Sequence, residues 1–192
     1  MFKFKPSVRR VLSDEQVQDL RELEAPWLTS HLTKGSCEYG YIDRLNNGNH
    51  EEYTADYRGE KIRHSMNKVI TTDMIDDINF EFECAWADAG LKVIDTNYLR
   101  YVEGDYLRRH IDTYDEHEVH GTMAHTVRKV TAITMIDKSP DLVGGILIAF
   151  NEGIPYEMDL EIGETAFFPS TNVHECTLIE RGYREVLVSW LA

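Results

Sequence analysis

The sequence predicts a mainly β protein with two flanking helices, and three observations carry that expectation. From residue 96 onward the chain is a succession of short runs rich in β-branched and aromatic residues, separated by Gly, Pro, Asp and Asn. Before them stand two segments whose apolar residues recur at helical spacing, residues 13–25 and 72–89. No repeat or linker-like stretch divides the 192 residues, so residues 1–192 read as a single domain, with 1–95 holding helices, loop and edge strand and 96–192 the core. Two helices followed by about seven or eight strands predict helices packed on one side of an antiparallel sandwich or barrel.

Each element has its own reason. Residues 2–12 are β-prone but contain Pro6, which cannot donate to a ladder, so they read as an edge strand. Ser13 and Gln16 have the spacing of a capping box, Val17, Leu20 and Leu23 form one apolar stripe, and Pro26 stops that helix. Residues 36–60, with Asn46-Asn47-Gly48-Asn49, show no sustained period and read as a turn-rich loop or loose hairpin carrying Tyr39, Tyr41, Arg44 and Asn47. In the second helix Thr72 stands as N-cap, and Asp73, Asp76 and Asp77 sit near the positive end of the dipole. Ile75, Ile78, Phe82, Trp86 and Ala89 share one stripe before Gly90 ends it. Strands are expected over 96–103, 126–137, 145–150, 154–161, 164–169, 174–180 and 183–191.

Charge narrows the function classes. With 34 acidic and 20 basic side chains the formal charge is -14, a balance that repels phosphate backbones and anionic headgroups and favours metal cations. Nucleic acid and membrane are therefore not expected partners. Cys37, Cys84 and Cys176 are odd in number and form no CxxC, so neither a disulfide framework nor a zinc knuckle is indicated, and a reducing, cytoplasmic setting is expected. No stretch approaches the ~18 apolar residues of a membrane span, and no secretion signal is visible.

The chemistry concentrates around His110-Ile111-Asp112. In an extended chain residues i and i+2 share a face, so His110 and Asp112 can offer an imidazole and a carboxylate to one ion. Such a triplet arises readily by chance among eight histidines and many aspartates. His174, at the start of an expected strand, adds a second imidazole. Two histidines and one carboxylate with open positions are the set favoured by non-haem iron(II) oxygenases; the bland alternative is a histidine at a strand end. Along 183–190, alternation places Arg184, Val186, Val188 and Trp190 on one apolar face. A buried guanidinium needs an anion, which is either an internal acidic side chain or the carboxylate of a bound small acid.

Taken in order, these elements resemble the 2-oxoglutarate and iron(II)-dependent dioxygenases, in particular their prolyl-4-hydroxylase-like branch. The likeness covers roughly residues 98–192: the segment from Tyr101 through Gly104 to His110, the HxD triplet, the run from Arg128 through Thr131 to Asp137, Gly144-Gly145, Gly163 to Phe168, His174, and Arg184 with Trp190. It implies a double-stranded β-helix, or jelly roll, with the N-terminal helices packed on the major sheet. It implies that His110, Asp112 and His174 bind iron(II) and that Arg184 binds the far carboxylate of the cosubstrate 2-oxoglutarate. The implied reaction consumes dioxygen, forms succinate and CO2, and hydroxylates an unactivated C–H bond of a peptide or small-molecule substrate. Tyr101 stands where relatives often carry a tyrosine reaching cosubstrate or substrate; a core aromatic is the equal alternative.

One departure stands out. Where hypoxia-type prolyl hydroxylases carry a tyrosine that supports the cosubstrate carboxylate, this chain has Met135, so Thr131 or Thr177 is expected to help Arg184, or Arg184 acts alone. Retention of Asp112 argues against an iron halogenase. His117, His120 and His125 lie in a run without fixed ligand spacing and read as a solvated loop at the mouth rather than a second metal site. Cys176 reads as a packed small side chain. The rival functions are a catalytically silent barrel that binds a metal or small acid, and a cupin-like metalloenzyme without cosubstrate.

Overall fold

In the computed structural model, which describes residues 3–30, 63–112 and 128–192, the alternating runs pair into two antiparallel sheets joined by one strand, beside a separate two-stranded ribbon formed by residues 143–144 and 179–181. The elements are β1 (Ser7–Arg10), α1 (Asp14–Glu22), β2 (Trp27–Ser30), β3 (Arg63–Lys68), α2 (Asp76–Ala85), β4 (Val93–Val102), β5 (Tyr106–His110), β6 (Val130–Lys138) and β7 (Val143–Gly144). They continue with β8 (Leu147–Asn151), β9 (Ile154–Met158), β10 (Glu164–Pro169), β11 (His174–Cys176), β12 (Ile179–Arg181) and β13 (Tyr183–Leu191). The major sheet runs β1-β10-β6-β13-β4-β3, with β2 added on β3, and the minor sheet β5-β11-β8-β9. β3 pairs with β4 through Met66, Asn67 and Lys68 and with β5 through Arg63 and His64, so it belongs to both. This is the jelly roll expected from the sequence.

Two apolar layers explain why β13 is buried on both faces. Val186, Val188 and Trp190 turn inward with Leu99, Ile133, Leu147 and Phe168, forming the core between the sheets. Leu187 and Leu191 turn outward, where Val17 and Leu20 of α1 and Ile78 and Phe82 of α2 pack over Tyr98, Val130 and Phe167. Each fully buried leucine or phenylalanine there contributes roughly 1.5–3 kcal/mol, which holds the helices on the major sheet as expected.

α1 starts at the expected capping box: Ser13 Oγ accepts from the Gln16 amide, and Gln16 Oε1 accepts from the Ser13 amide. β1 is the edge strand of the major sheet. The second helix is corrected at its start. Residues Thr72–Met74 form a short 3-10 turn and the α-helix begins at Asp76 with Ile75 at the cap position, so Thr72 is not its N-cap. The stripe buries Ile75, Ile78 and Phe82 but leaves Ala89 exposed, and Gly90 closes the segment in the left-handed conformation, φ +64. The strand expected over 174–180 is broken in two, because Thr177 Oγ1 takes the Ile146 amide and ends the ladder after Cys176. Strands β2, β3, β5 and β7 have no counterpart among the strands expected from the sequence. The loop 36–60 with Tyr39, Tyr41, Arg44 and Asn47, the run holding His117, His120 and His125, and Cys37 lie outside the described residues.

Candidate metal centre and cavity

His110 ends β5, His174 begins β11, and the two strands place these residues directly opposite each other. Asp112 follows two residues after His110, its amide held by the Ser170 carbonyl at 2.9 Å. The result is one cluster: one ligand atom from each of the three lies within 4.8 Å of the others, all buried. His110 Nε2 is 3.4 Å from Asp112 Oδ1, and His174 Nε2 is 3.4 Å from Oδ2. Donor atoms sharing one ion at about 2.0–2.2 Å must stand roughly 3–4 Å apart, so the spacing fits.

The ring orientations fit as well. His110 Nδ1 lies 2.8 Å from the Arg108 carbonyl and His174 Nδ1 lies 3.0 Å from the Asn172 carbonyl. A carbonyl only accepts, so each Nδ1 carries the proton and each Nε2 offers its lone pair to the cluster. Burial pushes the His174 imidazolium down to about 4, with His110 adding to the effect, so the ring is neutral at ordinary pH. Burial works against the Asp112 carboxylate, but His174 and His110 outweigh it and hold the group well below the usual carboxylate range. The buried indole N–H of Trp190 meets no acceptor at hydrogen-bond geometry. Neutral imidazoles and an ionised carboxylate are the forms that ligate metal.

Thr131, expected from the sequence to help hold the cosubstrate, is engaged with the triad: its hydroxyl donates to Asp112 Oδ2 at 2.7 Å and lies 2.9 Å from Ser170 Oγ, so it orients the carboxylate. Thr177 is also engaged, as the acceptor for the Ile146 amide. Thr131→Val is therefore expected to weaken metal binding by about 10–100-fold while leaving cosubstrate affinity nearly unchanged; parallel metal and 2-oxoglutarate titrations check this.

The triad opens on a cavity of about 160 Å3 between the sheets. Arg184, Val186, Val188 and Trp190 all line it, as alternation along β13 requires, and Asn97, Leu99 and Tyr101 line it from β4. Arg184 is 2% exposed and donates through Nη1 to the Gly145 carbonyl, with Cys176 Sγ 3.7 Å away. No carboxylate pairs with it among the described residues, and its Nε finds no partner. The adjacent Glu185 faces the helices, where Tyr98 donates to it at 2.7 Å. Gly145, at φ +64, permits this crowding: a Cβ there would stand 3.1 Å from Arg184 Cδ and closer still to Ile179.

Tyr101 pairs in register with Arg184 and is buried beside it. Met135 packs into the inner core. Asn97 and Arg128 line the same cavity at the opposite end; the sequence reading places them only within expected strands, 96–103 and 126–137.

No protein-family model matches the chain. A PKHD-type hydroxylase of Acinetobacter baumannii is 25% identical over 187 residues, 96% of this chain and 76% of that one. A prolyl-4-hydroxylase of Pseudomonas putida superposes with TM-score 0.51 at 19% identity, covering 92% of this chain and 96% of that one. A 2OG-Fe(II) oxygenase family oxidoreductase from Burkholderia pseudomallei gives 0.55 at 13% identity, covering 93% and 89%. The likeness read from the ordered motifs is thus borne out by a relative in sequence and by solved structures in fold.

Proposed function

We infer that the chain is an iron(II)- and 2-oxoglutarate-dependent oxygenase of the prolyl-4-hydroxylase-like kind, and that it hydroxylates a C–H bond of a peptide or small-molecule substrate. The observation that carries this reading is Arg184, a buried guanidinium without a carboxylate partner among the described residues, in the same cavity as a metal-competent triad. A metal protein without an anionic cosubstrate gives no account of an unmatched buried cation.

His110, Asp112 and His174 would hold iron(II) through two neutral Nε2 atoms and one ionised carboxylate, leaving one side open. Iron(II) with 2-oxoglutarate and dioxygen supplies the oxidising chemistry, in which the cosubstrate becomes succinate and CO2 while one oxygen atom enters the substrate. The rest is the work of this chain. Arg184 receives the far carboxylate through its planar fork. Cys176, two residues along β11 from His174 or roughly 7 Å, touches Arg184, so the metal and the guanidinium stand within reach of the two ends of a five-carbon diacid. Leu99, Leu147, Val186 and Val188 exclude water around it. Thr131 fixes the carboxylate ligand from below.

Oxygen-electrode measurement with iron(II) and 2-oxoglutarate checks the activity. The expected result is slow dioxygen consumption matched by succinate, absent without either addition. Dioxygen-independent behaviour, with no succinate, returns the chain to the class of silent metal-binding barrels.

A further inference from the structure

Arg184 rests on a wall that closes the cavity at the end away from the triad. Leu147 pairs in register with Cys176 and Ala149 with His174, so Gly145, which precedes β8, lies beyond Cys176 as seen from the metal ligands. Hydrogen bonds fix it there. Its amide donates to the Leu178 carbonyl at 3.1 Å, the Ile146 amide donates to Thr177 Oγ1 at 2.9 Å, and the Thr177 amide donates back to the Ile146 carbonyl at 3.0 Å. Ile179, fully buried, backs the same wall: its amide donates to the Asp105 carbonyl and its carbonyl accepts from the Gly104 amide, both at 2.9 Å. Between Ile179 and Arg184 there is no room for a methyl group. A Cβ at Gly145 would overlap Ile179 Cδ1 and stand 3.1 Å from Arg184 Cδ.

We propose, resting on the oxygenase reading, that Gly145 and Ile179 are positioning residues that set the depth of the Arg184 guanidinium, and through it the chain length of the dicarboxylic 2-oxo acid that the cavity accepts. The Gly145 carbonyl and Cys176 Sγ occupy Nη1, whereas Nε has no partner. The edge of the fork formed by Nε and Nη2 is therefore left for an incoming carboxylate, and the bond to Gly145 decides where that edge stands. The other end of the acid is fixed by the triad. Moving the guanidinium along the cavity by one C–C bond, roughly 1.5 Å, exchanges a five-carbon acid for one a carbon shorter or longer. A side chain at position 145 presses on Arg184 Cδ from beyond Cys176, so it drives the fork toward the triad and shortens the cavity. Removing Cδ1 of Ile179 opens space behind the same stem and lets it recede. The two changes act with opposite signs, which a general loss of packing does not produce.

The test is calorimetric titration of oxaloacetate, 2-oxoglutarate and 2-oxoadipate, acids of four, five and six carbons, into the manganese(II)-loaded native protein, Gly145→Ala and Ile179→Val. The native protein is expected to bind 2-oxoglutarate about tenfold or more tightly than either of the others. In Gly145→Ala, 2-oxoglutarate affinity is expected to fall about tenfold, and affinity for oxaloacetate relative to it to rise about fivefold. In Ile179→Val the relative affinity for 2-oxoadipate is expected to rise about threefold. Manganese(II) affinity is expected to stay within about twofold of native in both, since neither residue touches the triad. An unchanged length preference in folded Gly145→Ala overturns the proposal, as does equal weakening toward all three acids. If Gly145→Ala fails to fold, because alanine is strained at φ +64, Ile179→Val decides alone: a raised preference for the six-carbon acid upholds the proposal and an unchanged preference overturns it. Failure of the oxygenase reading is separate, because the native protein then binds none of the three acids and forms no succinate.

Discussion

Arg184→Ala is expected to raise the dissociation constant for 2-oxoglutarate about 100-fold while metal affinity changes by no more than a few-fold. Truncating one partner of a buried, hydrogen-bonded charge pair costs roughly 2–5 kcal/mol, or about 30-fold to several thousand-fold. The effect falls on the cosubstrate alone because Arg184 contacts Gly145 and Cys176, not the triad. Folding should not suffer in proportion: the native protein buries this cation without a carboxylate among the described residues, so alanine removes a desolvated charge rather than orphaning one. Arg184→Lys is expected to fall between, since a point charge cannot grip a carboxylate in two places. Calorimetric titration of 2-oxoglutarate into the manganese(II)-loaded variants checks the series. An equal loss of metal and cosubstrate binding would mark Arg184 as a structural residue.

Asp112→Ala is expected to lower metal affinity on the order of a thousand-fold, beyond the 10–100-fold usual for removing a supporting hydrogen bond, and to end succinate formation. The two neutral imidazoles left behind keep their Nδ1 bonds to Arg108 and Asn172, and Thr131 and Ser170 keep each other. Those ring N–H groups and hydroxyls therefore keep a partner and a desolvated charge is removed, so the variant should melt at or above the native temperature. Metal titration together with a thermal melt separates this from misfolding. Retained affinity would show that the ion sits elsewhere.

Legibility in the sequence followed locality. β10 and β13 coincide with the expected residues 164–169 and 183–191 because each is an apolar run bounded by glycine or proline turns. β3 could not be read: Arg63-His-Ser-Met-Asn-Lys68 carries no apolar alternation and is a strand because β4 and β5 offer it free edges. Thr72 looked like a cap, yet a 3-10 turn intervenes before Asp76, and nothing in the composition distinguishes those two starts. The site divided in the same way. His110, Asp112 and Arg184 stood out through i,i+2 spacing and alternation, both properties of a single strand. What Thr131 does depends on its distance from Asp112 Oδ2 across the sheet, and the opening of Asn97 into the cavity depends on which strand faces it. Neither is encoded within a few residues of the group itself.

The central claim is that one cavity brings a metal triad and an anion receptor to bear on the same small acid. Anaerobic titration tests it most directly: iron(II) is added first, then 2-oxoglutarate, while the visible absorption is followed. The expected result is a weak visible band that appears only when both are present, saturates at one equivalent, and needs about 100-fold more 2-oxoglutarate in Arg184→Ala. No band with both present, or a band with the same 2-oxoglutarate dependence in Arg184→Ala, would contradict it.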